Sequence, residues 1–213
     1  MLLPLAGLLV GVLLGLVLNV QVGVELSRYS AVAILAALDS VLGAVRAELD
    51  GVYDNRIFIS GFVTNAIVAV ILTFIGELAT YEKLAHEVVA REEDFHEALF
   101  GAHPVVEAVI ASLAGEPVGY ALFFANFSTF LGKPGLYLED LYVRPEARGH
   151  GAGRALLEHL AQIAVERNWG RFEWAVLDWN EPSINFYKKM GARAMDEWTI
   201  FRMTGDALKK LAL

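Results

Sequence analysis

Cysteine is absent from these 213 residues. That excludes thiolate nucleophiles, disulfides and Cys-ligated metals at once. Histidine is sparse, and His86, His96, His103, His150 and His159 show no spacing that suits a shared metal ion, so no metal site is expected. Positive charge is in deficit: 17 Lys and Arg face 25 Asp and Glu, a net charge of -8. A basic surface that tracks phosphates is therefore not expected, nucleic acid is set aside as a partner, and a small cationic molecule suits the balance better. What the chain holds in excess is apolar. Hydrophobic residues make up 56% and the mean hydropathy is +0.47, more than an ordinary soluble protein carries.

The excess lies at one end. Residues 2–24 contain no charged side chain, nor do residues 57–76, and each stretch is long enough to cross a hydrocarbon core of ~30 Å as a helix. Between them residues 29–45 are apolar but shorter and carry Asp39; this segment spans, lies at the interface or packs within a bundle. A charge in lipid costs on the order of 3 kcal/mol, so Asp39 there would face a partner. A secretory signal is the competing reading of the start, but no Lys or Arg precedes the apolar run and no small-residue cleavage pattern ends it. Gly7, Gly11 and Gly15 recur every fourth residue, a helix face that either admits a second backbone or reflects how common glycine is in membrane helices.

The stretch at residues 27–72, most clearly "AVAILAALDS" and "FISGF" followed by "NA", resembles the small basic protein family of bacterial integral membrane proteins. The resemblance covers about residues 1–76 and implies a membrane-embedded helical region in contact with lipid. This stretch departs from the family in not being basic: Arg28, Arg46 and Arg56 face five acidic residues.

Beyond residue 76 charges appear every few positions. "EEDFHEALF" reads as a helix, "VVEAVIASLA" and "VGYALFFA" as a hairpin turned at "GEP", and after a loop over residues 126–135 "LYLEDLYV" reads as a third strand. Leu156, Leu157, Leu160, Ile163 and Ala164 recur at helical spacing, so residues 152–167 should form a helix with one buried face. "RFEWAVLD" follows as a strand, "PSINFYKKM" as a helix begun by proline, and "ARAMDEWTIFRM" as a last strand. The class is α/β, in the order β-β-β-α-β-α-β.

Between third strand and helix stands "VRPEARGHGAG". A strand that enters a helix through such a loop offers unpaired main-chain N–H groups at the positive end of the helix dipole, which suits an anion such as phosphate. Gly149, Gly151 and Gly153 permit positive φ and close approach of a ligand to the backbone, and Arg148 adds a charged fork. A tight strand-to-helix turn uses glycine too, so the loop alone leaves both readings open.

"VRPEARGHGAGRALLEHL" resembles the pyrophosphate-binding motif of the GNAT superfamily of acetyltransferases, whose Arg/Gln-x-x-Gly-x-Gly/Ala pattern falls on Arg148, Gly151 and Gly153. "YLEDLYV" and "DWNEPSINFYKKMGA" are similar to its spermidine/spermine, or diamine and thialysine, branch. The resemblance runs over residues 77–213 and implies a mixed sheet flanked by helices, acetyl-CoA as co-substrate bound along Arg148, Gly149, His150, Gly151, Ala152 and Gly153, and a small primary amine as acceptor. An alkylamine is protonated at neutral pH (pKa ~10), so something must take its proton. By the resemblance Glu139 is that base, Tyr187 the acid for the departing thiolate, Leu141 and Val143 the main-chain donors, Asn180 a coenzyme contact, and Asp140, Tyr81 and Glu82 the groups that meet the cationic substrate. Asn180 reads equally as a helix N-cap before Pro182. A homodimer through this domain is also expected as an option.

Two regions result: residues 1–76, membrane-embedded, and 77–213, an acetyltransferase domain that lacks the family's first strand and keeps only the last turns of its first helix. Acetyl-CoA is cytosolic, so the expected location is the cell membrane, multi-pass, with the C-terminal domain in the cytoplasm. The alternative is a membrane interaction protein carrying an inactive, truncated domain.

Overall fold

The computed structural model describes residues 54–213, with Gly43, Arg46, Ala47, Leu49 and Asp50 upstream. The expected span at residues 2–24, the glycine face, Asp39 and nearly all of the segment at 29–45 lie outside the described residues. The chain divides into two compact units, the first ending at Trp174 and the second being Ala175–Leu213.

The first unit begins with helix α1, Asn55–Tyr81, which runs unbroken across position 76. Ile67, Ile71, Phe74, Leu78 and Tyr81 follow one another at steps of four and three, so they share a face. Ile71 and Phe74 on that face are fully buried, in one core with Tyr120, Leu122 and Tyr142. The hydroxyls of Thr64, Thr73 and Thr80 donate back to carbonyls of the same helix at 2.8–3.0 Å, so they need no outside partner. Phe58–Tyr81 is long and apolar enough to cross a membrane by length and composition, yet part of its apolar face is covered by protein. Composition could not separate an apolar face covered by lipid from one covered by a sheet. The apolar segment thus continues without a break into residues 77–81.

Helix α2, Glu92–Phe100, falls where the sequence puts it. Arg91 opens it, its N–H donating to Asp94 Oδ2 at 2.9 Å, and Glu92, Glu93 and Asp94 sit at the positive end of the dipole. His96 lies 3.3 Å from Thr64 of α1.

Strands β1 (Glu107–Leu113), β2 (Glu116–Ser128), β3 (Lys133–Val143) and β4 (Phe172–Trp174) form a mixed sheet in that order, antiparallel except for the parallel pair β3–β4. Ala114 and Gly115, both at positive φ, make the two-residue turn between β1 and β2. Most of the loop expected at 126–135 is strand instead, with Asn126 opposite Gly135 and Phe127 opposite Pro134. Pro134 and Gly135 look like breakers, but a Cβ at 135 would come within 2.5 Å of Asn126 Oδ1, so the glycine serves close packing inside the ladder. Helix α3, Ala152–Glu166, buries Leu156, Leu157, Leu160 and Ala164 as its periodicity requires.

Two strand expectations need correction. "RFEWAVLD" supplies only the three residues of β4, and "ARAMDEWTIFRM" is not a strand; the second unit holds helix α4, Glu181–Lys189, and helix α5, Gly205–Leu211, which the sequence did not announce. The alternation there finds no ladder among the described residues, and Trp198, Ile200 and Phe201 are exposed. A period of two marks a strand only where a neighbour accepts it.

Arg144, just after β3, locks α1 to the sheet. Its Nε donates to both Glu77 oxygens at 3.1 and 3.3 Å, its Nη1 to the Pro117 carbonyl at 2.9 Å, and its guanidinium lies 4.8 Å from the Phe74 ring centre. Both side chains of the ion pair are about four-fifths buried. Glu77→Ala is expected to cost about 1–3 kcal/mol, the worth of hydrogen bonds to a charged group. Urea unfolding of the detergent-solubilised chain measures it; an unchanged midpoint would deny the pair a structural role.

Candidate active site

An irregularity in β3 makes the site. Leu122 of β2 pairs with Asp140 and Phe123 pairs with Leu138, so Glu139 is one extra residue in the register of β3, a β-bulge. On the other side the pairing with β4 covers Leu136, Tyr137 and Leu138 and then ends. From Glu139 to Val143 that edge of β3 has no strand beside it among the described residues. The N–H of Arg144 donates to Val118 on β2. Main-chain groups alternate along a strand, so those of Leu141 and Val143 face the open edge. There the Val143 carbonyl accepts Arg148 Nε at 2.9 Å.

The glycine loop starts at this edge. A 3-10 turn, Pro145–Ala147, leads to Arg148, Gly149, His150 and Gly151, all exposed. Gly149 has φ +82 and Gly151 φ +89; Gly151 is also the N-cap of α3. A Cβ on either would meet nothing within 4 Å, so the constraint is backbone conformation and not space. Gly153 is different: it sits in the first turn of α3 without positive φ, so no left-handed conformation requires glycine there. The first N–H groups of α3, those of Ala152 and Gly153 among them, begin before the helical ladder can use them. The Arg148 guanidinium lies 4.8 Å from the Tyr81 ring and 5.9 Å from that of Tyr142. Burial pushes the Tyr142 hydroxyl up to about 12, with Glu77 adding to it. An open, glycine-turned helix start with a guanidinium beside it fits a diphosphate.

Carboxylates gather on the other flank. Asp140 is half-buried and its Oδ2 accepts the Tyr120 hydroxyl at 2.8 Å. Burial raises its pKa above the ordinary carboxyl value, and the tyrosine hydrogen bond opposes that. Glu82, one residue past α1, is raised by burial and then by the Asp140 charge. Tyr120 is itself raised, chiefly by burial, then by Asp140, with Glu82 and Glu139 contributing. Asp140 thus meets the phenol directly, the charges of Glu82 and Glu139 also reach it, and Glu139, on the bulge, is the exposed one of the three. Tyr81, Glu82, Asp140 and Arg148, distant in sequence, are thus brought together. Sequence reasoning missed Tyr120. The available signal was a phenol inside the apolar run "VGYALFFA", where a buried hydroxyl needs a partner.

Asn180 and Tyr187 belong to the second unit. Asn180 is buried and caps α4, its side chain accepting from the Ser183 N–H at 3.4 Å. Tyr187, on α4, is half-buried, with its ring 5.5 Å from that of Phe186.

A mixed sheet that opens beside a bulged strand, and runs from there into a glycine turn at a helix start, defines the class of acyl-CoA-dependent transferases. Residues 73–192 match the acetyltransferase (GNAT) family, and the chain belongs to that family. It is an acetyl-CoA-dependent N-acetyltransferase. A thialysine N-epsilon-acetyltransferase of Sus scrofa is 40% identical over 153 residues, 67% of this chain and 89% of that protein. An L-ornithine N5-acetyltransferase of Arabidopsis thaliana is 47% identical over 93 residues, covering 44% of this chain and 41% of that one. Among solved structures, an integron cassette protein from the mobile metagenome of V. cholerae superposes with a TM-score of 0.58 at 31% identity, over 70% of this chain and 93% of its own. Residues 22–90 also match a protein family of unknown function, DUF1290.

Proposed function

We propose that the chain acetylates the primary amine of a small polyamine-like or lysine-like molecule by direct attack on acetyl-CoA, without a covalent enzyme intermediate. The observation that carries this is the acidic cluster about Tyr120, with Asp140 in contact with its hydroxyl and the charges of Glu82 and Glu139 within reach, while Glu139 and Asp140 lie where β3 has lost its β4 neighbour. Such a cluster draws an ammonium group and not an anion. Two relatives named above act, by their names, on thialysine and L-ornithine, both small cationic amines. Acetyl-CoA supplies an activated acyl group as a thioester. Glu139, exposed on its bulge, takes the proton of the amine, through water. Asp140 and Glu82, with Tyr81, hold the cationic part of the acceptor. The N–H groups of Leu141 and Val143 support the charge that develops on the acyl oxygen. Residues Arg148, Gly149, His150, Gly151, Ala152 and Gly153 hold the diphosphate, Asn180 contacts the coenzyme, and Tyr187 protonates the departing thiolate.

The apolar stretches within residues 1–76, among them the exposed Ile59, Phe62 and Val63 of α1, support attachment of this enzyme to lipid, and its need for cytosolic acetyl-CoA puts the transferase domain in the cytoplasm. The test is to incubate the detergent-solubilised chain with acetyl-CoA and a panel of diamines, lysine analogues and neutral alcohols, following release of the free thiol. Acetylation confined to the amines is expected; thiol release without an acetylated amine would sink the proposal. In the same assay Gly151→Val, which forces a β-branched residue to φ +89, should raise the KM for acetyl-CoA about tenfold, as a penalty of about 1–2 kcal/mol requires. The KM for the amine should move little.

A further inference from the structure

We infer that Tyr120 is a positioning residue for the amine subsite: its hydroxyl, donated to Asp140 Oδ2 and fixed by the stacking of its ring on Phe74, keeps the Asp140 carboxylate in one orientation to receive the cation. The inference rests on the reading of Glu82, Glu139 and Asp140 as that subsite. Three carboxylates close together repel one another, and the most buried tends to take up a proton and lose its hold on an ammonium group. A donor to the ionised form counters this. Asp140 is met by Tyr120 from β2 and by the charge of Glu82 from beyond α1, Glu139 of its own strand acts on the same Tyr120 hydroxyl, and Arg148 lies over Tyr81 and Tyr142 further along; of these the Tyr120 hydroxyl is the donor that hydrogen-bonds Asp140.

Tyr120 is well suited to the task. Its ring is completely buried and lies parallel to Phe74, 7° between planes and 5.6 Å between centres. Its hydroxyl is raised above the ordinary tyrosine value by burial first, so it stays protonated and remains a donor. Phe74 belongs to α1, so the apolar helix is tied through two aromatic rings to the carboxylate. A helix drawn from a hydrophobic segment thereby controls the geometry of the subsite.

Tyr120→Phe keeps the ring and its stacking and removes only the donor. The expected result is a rise of about tenfold in the KM for the amine, with a smaller change in kcat and none in the KM for acetyl-CoA, as for one lost hydrogen bond to a charged group. The acid limb of kcat/KM should move to higher pH. The sign follows because a donor favours the ionised carboxylate, and without it the proton is lost only at higher pH. In an Asp140→Asn background, Tyr120→Phe should add nothing. A KM and pH profile like those of the unmodified enzyme, or an equal effect in the Asp140→Asn background, would overturn the inference. Infrared titration of the Asp140 carboxyl tests the same point without turnover: its midpoint must be higher in Tyr120→Phe, and an unmoved midpoint refutes the positioning role. An unmodified enzyme that acetylates no amine would instead refute the proposed function, and the titration would still decide the role of Tyr120.

Discussion

Glutamine at position 139 is expected to lower kcat by about a hundredfold or more while the chain still binds acetyl-CoA. General base catalysis contributes roughly 10²- to 10⁴-fold, and an amide of the same shape cannot take the proton. Glu139 is exposed on a bulge, so the exchange removes no buried packing and should leave the thermal midpoint in place. An alkylamine with pKa ~10 deprotonates in bulk water as pH rises; activity of Glu139→Gln should therefore recover toward that of the unmodified enzyme at the alkaline end. Steady-state kinetics from pH 7 to 10, with calorimetric binding of coenzyme A as the control, decide it. Unchanged kcat would remove Glu139 from the reaction and leave Asp140, the other carboxylate of the pair, to be tested.

Much of the coenzyme side of this site is legible in the sequence because it is local. Strand, glycine turn and helix follow one another within "LYVRPEARGHGAGRALLEHL", and positive φ at Gly149 and Gly151 is what such a run demands. Helices α2 and α3 are legible for the same reason: their periodicity and first turns are contained in their own residues. The amine side is not local. The bulge at Glu139 appears only once Leu122 and Phe123 are set opposite β3, and no pattern in "YLEDLYV" states that register. Tyr120 and Asp140 meet across the ladder from 20 residues apart. The last expected strand fails for the converse reason, since its alternation is real but no described strand pairs with it.

The largest effect on stability should come from Phe74, and it bears on what α1 is for. Phe74 is fully buried, stacked on Tyr120, 6.2 Å from the Tyr142 ring and under the Arg144 guanidinium. Truncating such a residue costs about 3–5 kcal/mol from lost transfer energy and the cavity left behind, a large part of the 5–15 kcal/mol that a domain of roughly this size typically has. Phe62, three turns earlier on the same helix, is 41% exposed, and Phe62→Ala should cost roughly 1 kcal/mol or less in detergent. A helix given wholly to lipid would make the two substitutions alike. Unfolding of Phe74→Ala and Phe62→Ala, followed by the fluorescence of tryptophans in the first unit, should show the first losing most of its stability and its transferase activity and the second keeping both. If Phe74→Ala is as mild as Phe62→Ala, α1 is not the core helix of the transferase, and the link from Phe74 through Tyr120 to Asp140 goes with it.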